Sequence, residues 1–166
     1  SDARIGRHRE PPGAAARAMT HTPELRDFVA AWEELRTRAY QDVAGVWTIG
    51  YGRTTDVQPG DTCTAEQAAV WLDESLAEYG DRLQAYMTRE PAQQQYDALL
   101  SLAYNCGVEA IGDSGVMARF NWGLDQECAD RFLMWNRSGG REWNGLTKRR
   151  RGERRIYLLG AYDARP

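Results

Sequence analysis

A single β-type passage, RAYQDVAGVWTIGYG at residues 38–52, interrupts a chain whose other patterned stretches are helical, and it constrains the fold more than any other feature. Gly45, Gly50 and Gly52 break any helical period, while Val46, Trp47, Thr48, Ile49 and Tyr51 suit strands. A small hairpin or three-stranded sheet is therefore predicted. The turn-rich DVQPGDTC follows it.

Helix signals flank this passage. Thr22 as N-cap, Pro23 at N1 and Glu24 in the first turn open one helix, with Leu25, Phe28, Val29 and Trp32 on one face to about Glu34. In TAEQAAVWLDESLAEYGDRLQAYM, Thr64 and Gln67 form a capping box, and Ala68, Trp71, Leu72, Leu76, Leu83 and Tyr86 supply the apolar face. Gly80 is a point where that helix could bend or break, and the helix is long enough to bridge two lobes. PAQQQYDALLSLAYNCG starts on a favourable proline and stops at Gly107, with Tyr96, Leu99, Leu100, Leu102 and Ala103 facing a core. Shorter helices are predicted at 114–120, 125–134 and 147–159, the last two separated by NRSGGREWNG as a polar turn.

At 166 residues the chain fits one compact domain that can be pinched into two lobes. Residues 1–22, rich in arginine and broken by Pro-Pro-Gly, read as an extension with a short helix around 14–19, and residues 23–166 as the domain. The chain starts at Ser1, which is consistent with a processed or trimmed product. It contains no run of about 18 apolar residues, so no stable membrane span is predicted.

A net charge of −3 argues against a general nucleic-acid binder. Its distribution is uneven: RIGRHRE and KRRRGERR are basic, and residues 54–80 are acidic. A surface for an anionic polymer is one reading of the basic runs, and a solvated helix face is the plainer one. Cys63, Cys106 and Cys128 have no metal-ligand spacing, so neither a metal nor a cofactor is predicted, and reduced buried thiols are the simplest reading.

Glu33 ends the first helix, Asp42 enters the hairpin, and Thr48 comes six residues later. Cleaving a glycosidic bond needs a proton donor and a second group that activates water or stabilises positive charge. A helix end followed by a hairpin can hold two carboxylates across a cleft. Partial burial beside Trp32 would favour the protonated acid at Glu33, while Asp42 in a polar loop would stay an anion. Local pattern alone also fits exposed acids at Glu33 and Glu34, a turn-capping Asp42 and a β-forming Thr48.

The spacing Glu, eight residues, Asp, five residues, Thr, set in LRTRAYQDVAGVWTIGYG, closely resembles the T4-type phage lysozymes, the endolysin or muramidase family of glycoside hydrolases. The likeness continues through LLSLAYNCG, RFLMWNRSGG and GLTKRRRGERR in the expected order. It implies an α+β lysozyme-like fold, in which a small β-sheet-containing lobe and a larger helical lobe enclose an active-site cleft and are joined by the helix after Thr64. It also implies hydrolysis, with inversion, of the β-1,4 bond between N-acetylmuramic acid and N-acetylglucosamine in peptidoglycan strands. Glu33 would be the general acid, Asp42 the base or charge-stabilising carboxylate, and Thr48 a water-placing hydroxyl. Host-cell lysis by a monomer made in the host cytoplasm and exported or released to the cell wall goes with that resemblance. A lytic transglycosylase and a non-catalytic peptidoglycan-binding protein are the alternatives.

Three positions depart from the family pattern: Glu34 replaces a glycine, Arg53 a histidine, and Cys106 an apolar residue. Glu34 could crowd the helix end or raise the proton affinity of Glu33. Tyr51, Trp122, Trp135 and Trp143 could stack on sugars, although core packing is favoured for each. Asn105 either contacts an N-acetyl group or caps backbone. Arg149 or Arg150 could reach the cleft and pair with Glu33, with Glu153 anchoring their helix; solvated salt bridges are the simpler expectation there. Tyr51, Asn105, Arg149 and Arg150 are the candidate substrate contacts.

Overall fold

Thr22 sets the start of the described domain: its hydroxyl accepts the Leu25 amide at 3.1 Å, and Pro23 follows in the first turn of α1 (Pro23–Trp32). The structure is a computed structural model that describes residues 18–164. α1 ends two residues before the predicted Glu34, because Glu33 turns extended (φ −97°, ψ 148°) and feeds β1 (Arg36–Gln41). β1 pairs antiparallel with β2 (Trp47–Gly50), Tyr40 opposite Thr48 and Gln41 opposite Trp47. The return passage adds only an isolated bridge at Arg38 and Thr62, with the Ala39 amide on Asp61 and the Cys63 amide on Thr37, both at 2.9 Å. The sheet is thus a hairpin with a minimal third edge.

α2 (Ala65–Gln84) carries the predicted capping box, with Thr64 and Gln67 exchanging bonds at 2.9 and 3.1 Å. It contacts β2 on one side and α1, α3 and α4 on the other, so it joins the hairpin to the helices. The helix runs through Gly80 without interruption, so the predicted break is absent. Gly80 is there for space: a Cβ would overlap the Tyr96 hydroxyl and stand 3.2 Å from its Cζ.

α3 (Gln93–Cys106) starts after Ala92 rather than on Pro91 and stops at Gly107, whose φ of 101° suits glycine. Residues 96–103 are buried without interruption, polar Asp97 and Ser101 included, so this helix is enclosed on every face and forms the centre of the larger lobe. α4 (Val108–Gly112), α5 (Gly115–Asn121), α6 (Asp125–Phe132) and α7 (Asn144–Leu159) complete that lobe, and α7 packs most extensively on α3.

Several expectations are corrected here. NRSGGREWNG is a second hairpin, β3 (Arg137–Ser138) with β4 (Arg141–Glu142), because Gly139 and Gly140 (φ 60° and 76°) make the two-residue turn that strand twist favours. α7 accordingly begins at Asn144, not Thr147. Trp122 and Trp143 are 69% and 47% exposed, so neither is a core residue; their helix and hairpin ends point them outward. All three cysteines are free thiols, of which only Cys128 is fully buried.

The segment before α1 is tied down from Met19 onward. The Met19 amide reaches Gln84 Oε1 at 2.8 Å, Gln93 donates to the Thr20 carbonyl at 2.9 Å, and His21 Nε2 lies 2.7 Å from Asp73. The short helix predicted at 14–19 lies outside the described residues except for Ala18 and Met19, which are not helical. Among the described residues no helix is long and apolar enough to cross a membrane.

The Gly80 contact makes a direct test possible. Gly80→Ala raises helix propensity but overpacks Tyr96, and is expected to destabilise the protein by about 1–3 kcal/mol in urea unfolding. A gain in stability would mean that Tyr96 does not pack there.

Candidate active site

The extended conformation of Glu33 decides which of two adjacent acids faces inward, because successive side chains on extended backbone alternate sides. Glu33 Oε1 accepts a hydrogen bond from Arg149 Nη1 at 3.1 Å, across 116 residues of sequence. The Glu34 side chain is 76% exposed and pairs instead with Arg36 at 3.0 Å, so it neither crowds the helix end nor joins this contact. Tyr104, in the last turn of α3, completes the surroundings of Glu33. Burial first, and then the Glu33 charge, push its hydroxyl up to about 12.

Asp42 is placed by its own turn. Its Oδ1 accepts the Ala44 and Val46 amides, both at 2.9 Å, and Gly45 (φ 80°) allows the chain to reverse. The turn-capping reading therefore describes one oxygen, and Oδ2 has no hydrogen-bond partner among the described residues. Thr48 is buried and donates to the Val46 carbonyl at 2.9 Å, so its hydroxyl oxygen keeps acceptor capacity beside the same turn. Gly50 (φ 68°) lets the hairpin sit against α2, since a Cβ there would meet Ala68 and Trp71 at 3.3 Å.

The remaining candidates divide. Tyr51 is half-buried against the core. Arg53 lies over the Trp71 ring at 4.8 Å and 3.6 Å from Glu74, bracing the hairpin's exit against α2. The Asn105 side chain accepts from Arg150 Nη2 at 2.9 Å and is not a backbone cap. Asn105, Cys106, Trp135, Arg137, Leu146 and Arg150 line a pocket of about 320 Å³.

Lys148 and Arg151 of the basic run on α7 are exposed, but Arg149, Arg150 and Glu153 are not solvated, which corrects the simpler expectation for them. Arg149 is 4% exposed, and Arg150 and Glu153 are fully buried. Arg150 donates to Glu153 Oε1 through Nε and Nη2 at 2.9 and 2.5 Å, and to Cys106 Sγ and the Trp135 carbonyl at 2.9 and 3.2 Å. Burial pushes the Cys106 thiol up, against the pull of Arg150. Of the residues now seen at the site, Tyr104 carried no signal in the sequence, whereas Glu153 had one: it stands three and four residues beyond two arginines. Among the described residues no group of three His, Cys, Asp or Glu side chains could hold a metal ion.

Comparison with known proteins is consistent across sequence and structure. The Phage lysozyme family model matches residues 30–153. The endolysin of Bacillus phage B103 is 39% identical over 137 residues, covering 81% of this chain and 52% of that protein, so the chain spans about half of its length. Other phage endolysins, several of them named SAR-endolysins, match at 30–38% identity. Among solved structures, the endolysin from Escherichia coli O157:H7 phage FAHEc1 superposes with a TM-score of 0.78 at 34% identity, over 87% of this chain and 97% of that one. The muramidase domain of SpmX from Asticaccaulis excentricus gives 0.76 at 31% identity, over 83% and 97%.

Tyr104 reports on this site at high pH. Its folded value of about 12 lies above the ordinary 10.0, so its contribution to stability is complete below pH 10 and lost as pH rises to about 12. Tyr104→Phe is expected to flatten the fall of the urea midpoint across that window; an identical slope would show that Tyr104 is not buried beside Glu33.

Proposed function

The chain belongs to the phage lysozyme family, and from that premise we propose that it is an endolysin of the muramidase type, hydrolysing β-1,4 bonds between N-acetylmuramic acid and N-acetylglucosamine in bacterial peptidoglycan. One observation carries the reading beyond family membership: of two adjacent acids, the one at the family's catalytic spacing is the one that turns inward to Arg149.

In this mechanism Glu33 protonates the departing glycosidic oxygen as the bond to the anomeric carbon breaks. Asp42, through the oxygen that its turn leaves free, takes a proton from water as that water's oxygen bonds the anomeric carbon from the opposite face, giving inversion. Thr48 helps to hold the water. Tyr51 and Asn105 flank the glycan, Arg149 holds Glu33, and the enclosed Arg150 acts by fixing Asn105 rather than by touching sugar. The protein works as a monomer at the peptidoglycan layer, which is periplasmic where the host is Gram-negative, after synthesis in the host cytoplasm and export or release through a membrane pore.

Digestion of purified peptidoglycan followed by mass spectrometry tests the reaction. Reducing-end muramic acid is expected. Anhydromuramic acid would instead make the protein a lytic transglycosylase, and no cleavage at any pH would leave a binding protein. Glu33→Gln is expected to lose at least about a hundredfold in turnover while staying folded, and Glu34→Gln to keep most of it. The reverse order would place the acid one residue later.

A further inference from the structure

Arg149 is held differently from its neighbour. Arg150 has hydrogen bonds to Glu153, Asn105, Cys106 and the Trp135 carbonyl, which enclose its guanidinium. Among the described residues Arg149 donates only to Glu33, and its Nε and Nη2 are buried without a hydrogen-bond partner there. The carboxylate nearest to its other side is that of Glu153, whose Oε1 lies 3.5 Å from Nε. Charge, more than hydrogen bonding, therefore locates this guanidinium between Glu33 in front and Glu153 behind.

We propose that Glu153 is a positioning residue for Glu33: as the rear counter-charge of Arg149, it limits how tightly that guanidinium holds the Glu33 carboxylate and so keeps Glu33 able to carry a proton. The link to turnover rests on the muramidase reading, whereas the coupling between the two carboxylates does not. Burial raises the Glu153 carboxyl, more than Arg150 and Arg149 lower it; the two guanidiniums it contacts keep their charge, and against them it serves as the anion. The other groups around Glu33 give no equivalent control. Tyr104 stays neutral until about pH 12, Glu34 faces solvent beside Arg36, Asp42 is bound into its own turn, and Arg150 is spent on its four partners.

Replacing Glu153 by Gln leaves Arg149 with Glu33 as its one anionic partner among the described residues, which favours ionised Glu33. Carbon-detected NMR titration of the full chain, with the Glu33 resonance assigned by comparison with Glu33→Gln, measures this directly. The Glu33 midpoint is expected to fall by about one pH unit in Glu153→Gln. Glu153→Asp, which withdraws the charge by one methylene, should shift it in the same direction by less, and it serves the test if the Gln variant does not fold. On peptidoglycan, the alkaline limb of the kcat profile should move down with the midpoint, with KM within about twofold. A merely structural role would lower the amount of active protein and leave that limb in place. An unchanged Glu33 midpoint in a folded variant overturns the proposal whatever the activity, while an inactive wild-type protein would overturn the muramidase reading and leave the titration decisive.

Discussion

Two arginines and a glutamate are buried on consecutive turns of α7, and the positions of the neighbouring elements follow from them. Such a group is costly to desolvate, and hydrophobic residues of similar volume are often as stable. Its value here is positional. Arg150 ties α7 to the end of α3 through Asn105 and Cys106 and to the chain after α6 through the Trp135 carbonyl, and Arg149 then reaches the end of α1. Three separate segments meet at one side chain pair, so the place of Glu33 is set by the last long helix as well as by its own.

A second buried acid organises the opposite end of α3. Asp97 is unexposed and accepts from the Thr22 hydroxyl at 2.6 Å, from the Tyr162 hydroxyl at 2.6 Å and from Gln93 at 3.1 Å. Neutral donors, rather than a cation, satisfy it. The residue that caps α1 and a residue beyond α7 are thus fastened to the central helix. The consequence reaches the site, because α1, which Glu33 directly follows, is anchored at its start by Asp97 and met beyond its end by Arg149.

The hairpin contrasts with this long-range order. Asp42 and Thr48 are held by bonds to residues within four positions of themselves, so their geometry is a property of the turn. What the rest of the protein supplies is a seat for that turn: Gly50 allows β2 to approach Ala68 and Trp71, and Arg53 stacks on Trp71 beyond it. The candidate acid thus depends on distant helices, and its candidate partner carboxylate on a local loop.

Sequence alone determined the features whose causes lie within a turn or two of chain: the caps at Thr22 and Thr64, the stop at Gly107, the hairpin around Gly45, and the spacing of Glu33, Asp42 and Thr48. Local hydrogen bonds and backbone conformations need only near neighbours, so residue order is enough to read them. The Gly139–Gly140 hairpin was equally local and was legible in principle. Tertiary structure alone decided that KRRRGERR is partly buried, that Gly80 makes room for Tyr96, that Trp122 and Trp143 face solvent, and that Arg149 rather than Arg150 is the arginine that answers Glu33. Each of these depends on which face of a helix meets which neighbour, and a contact across 116 residues leaves no periodic trace in the order of amino acids.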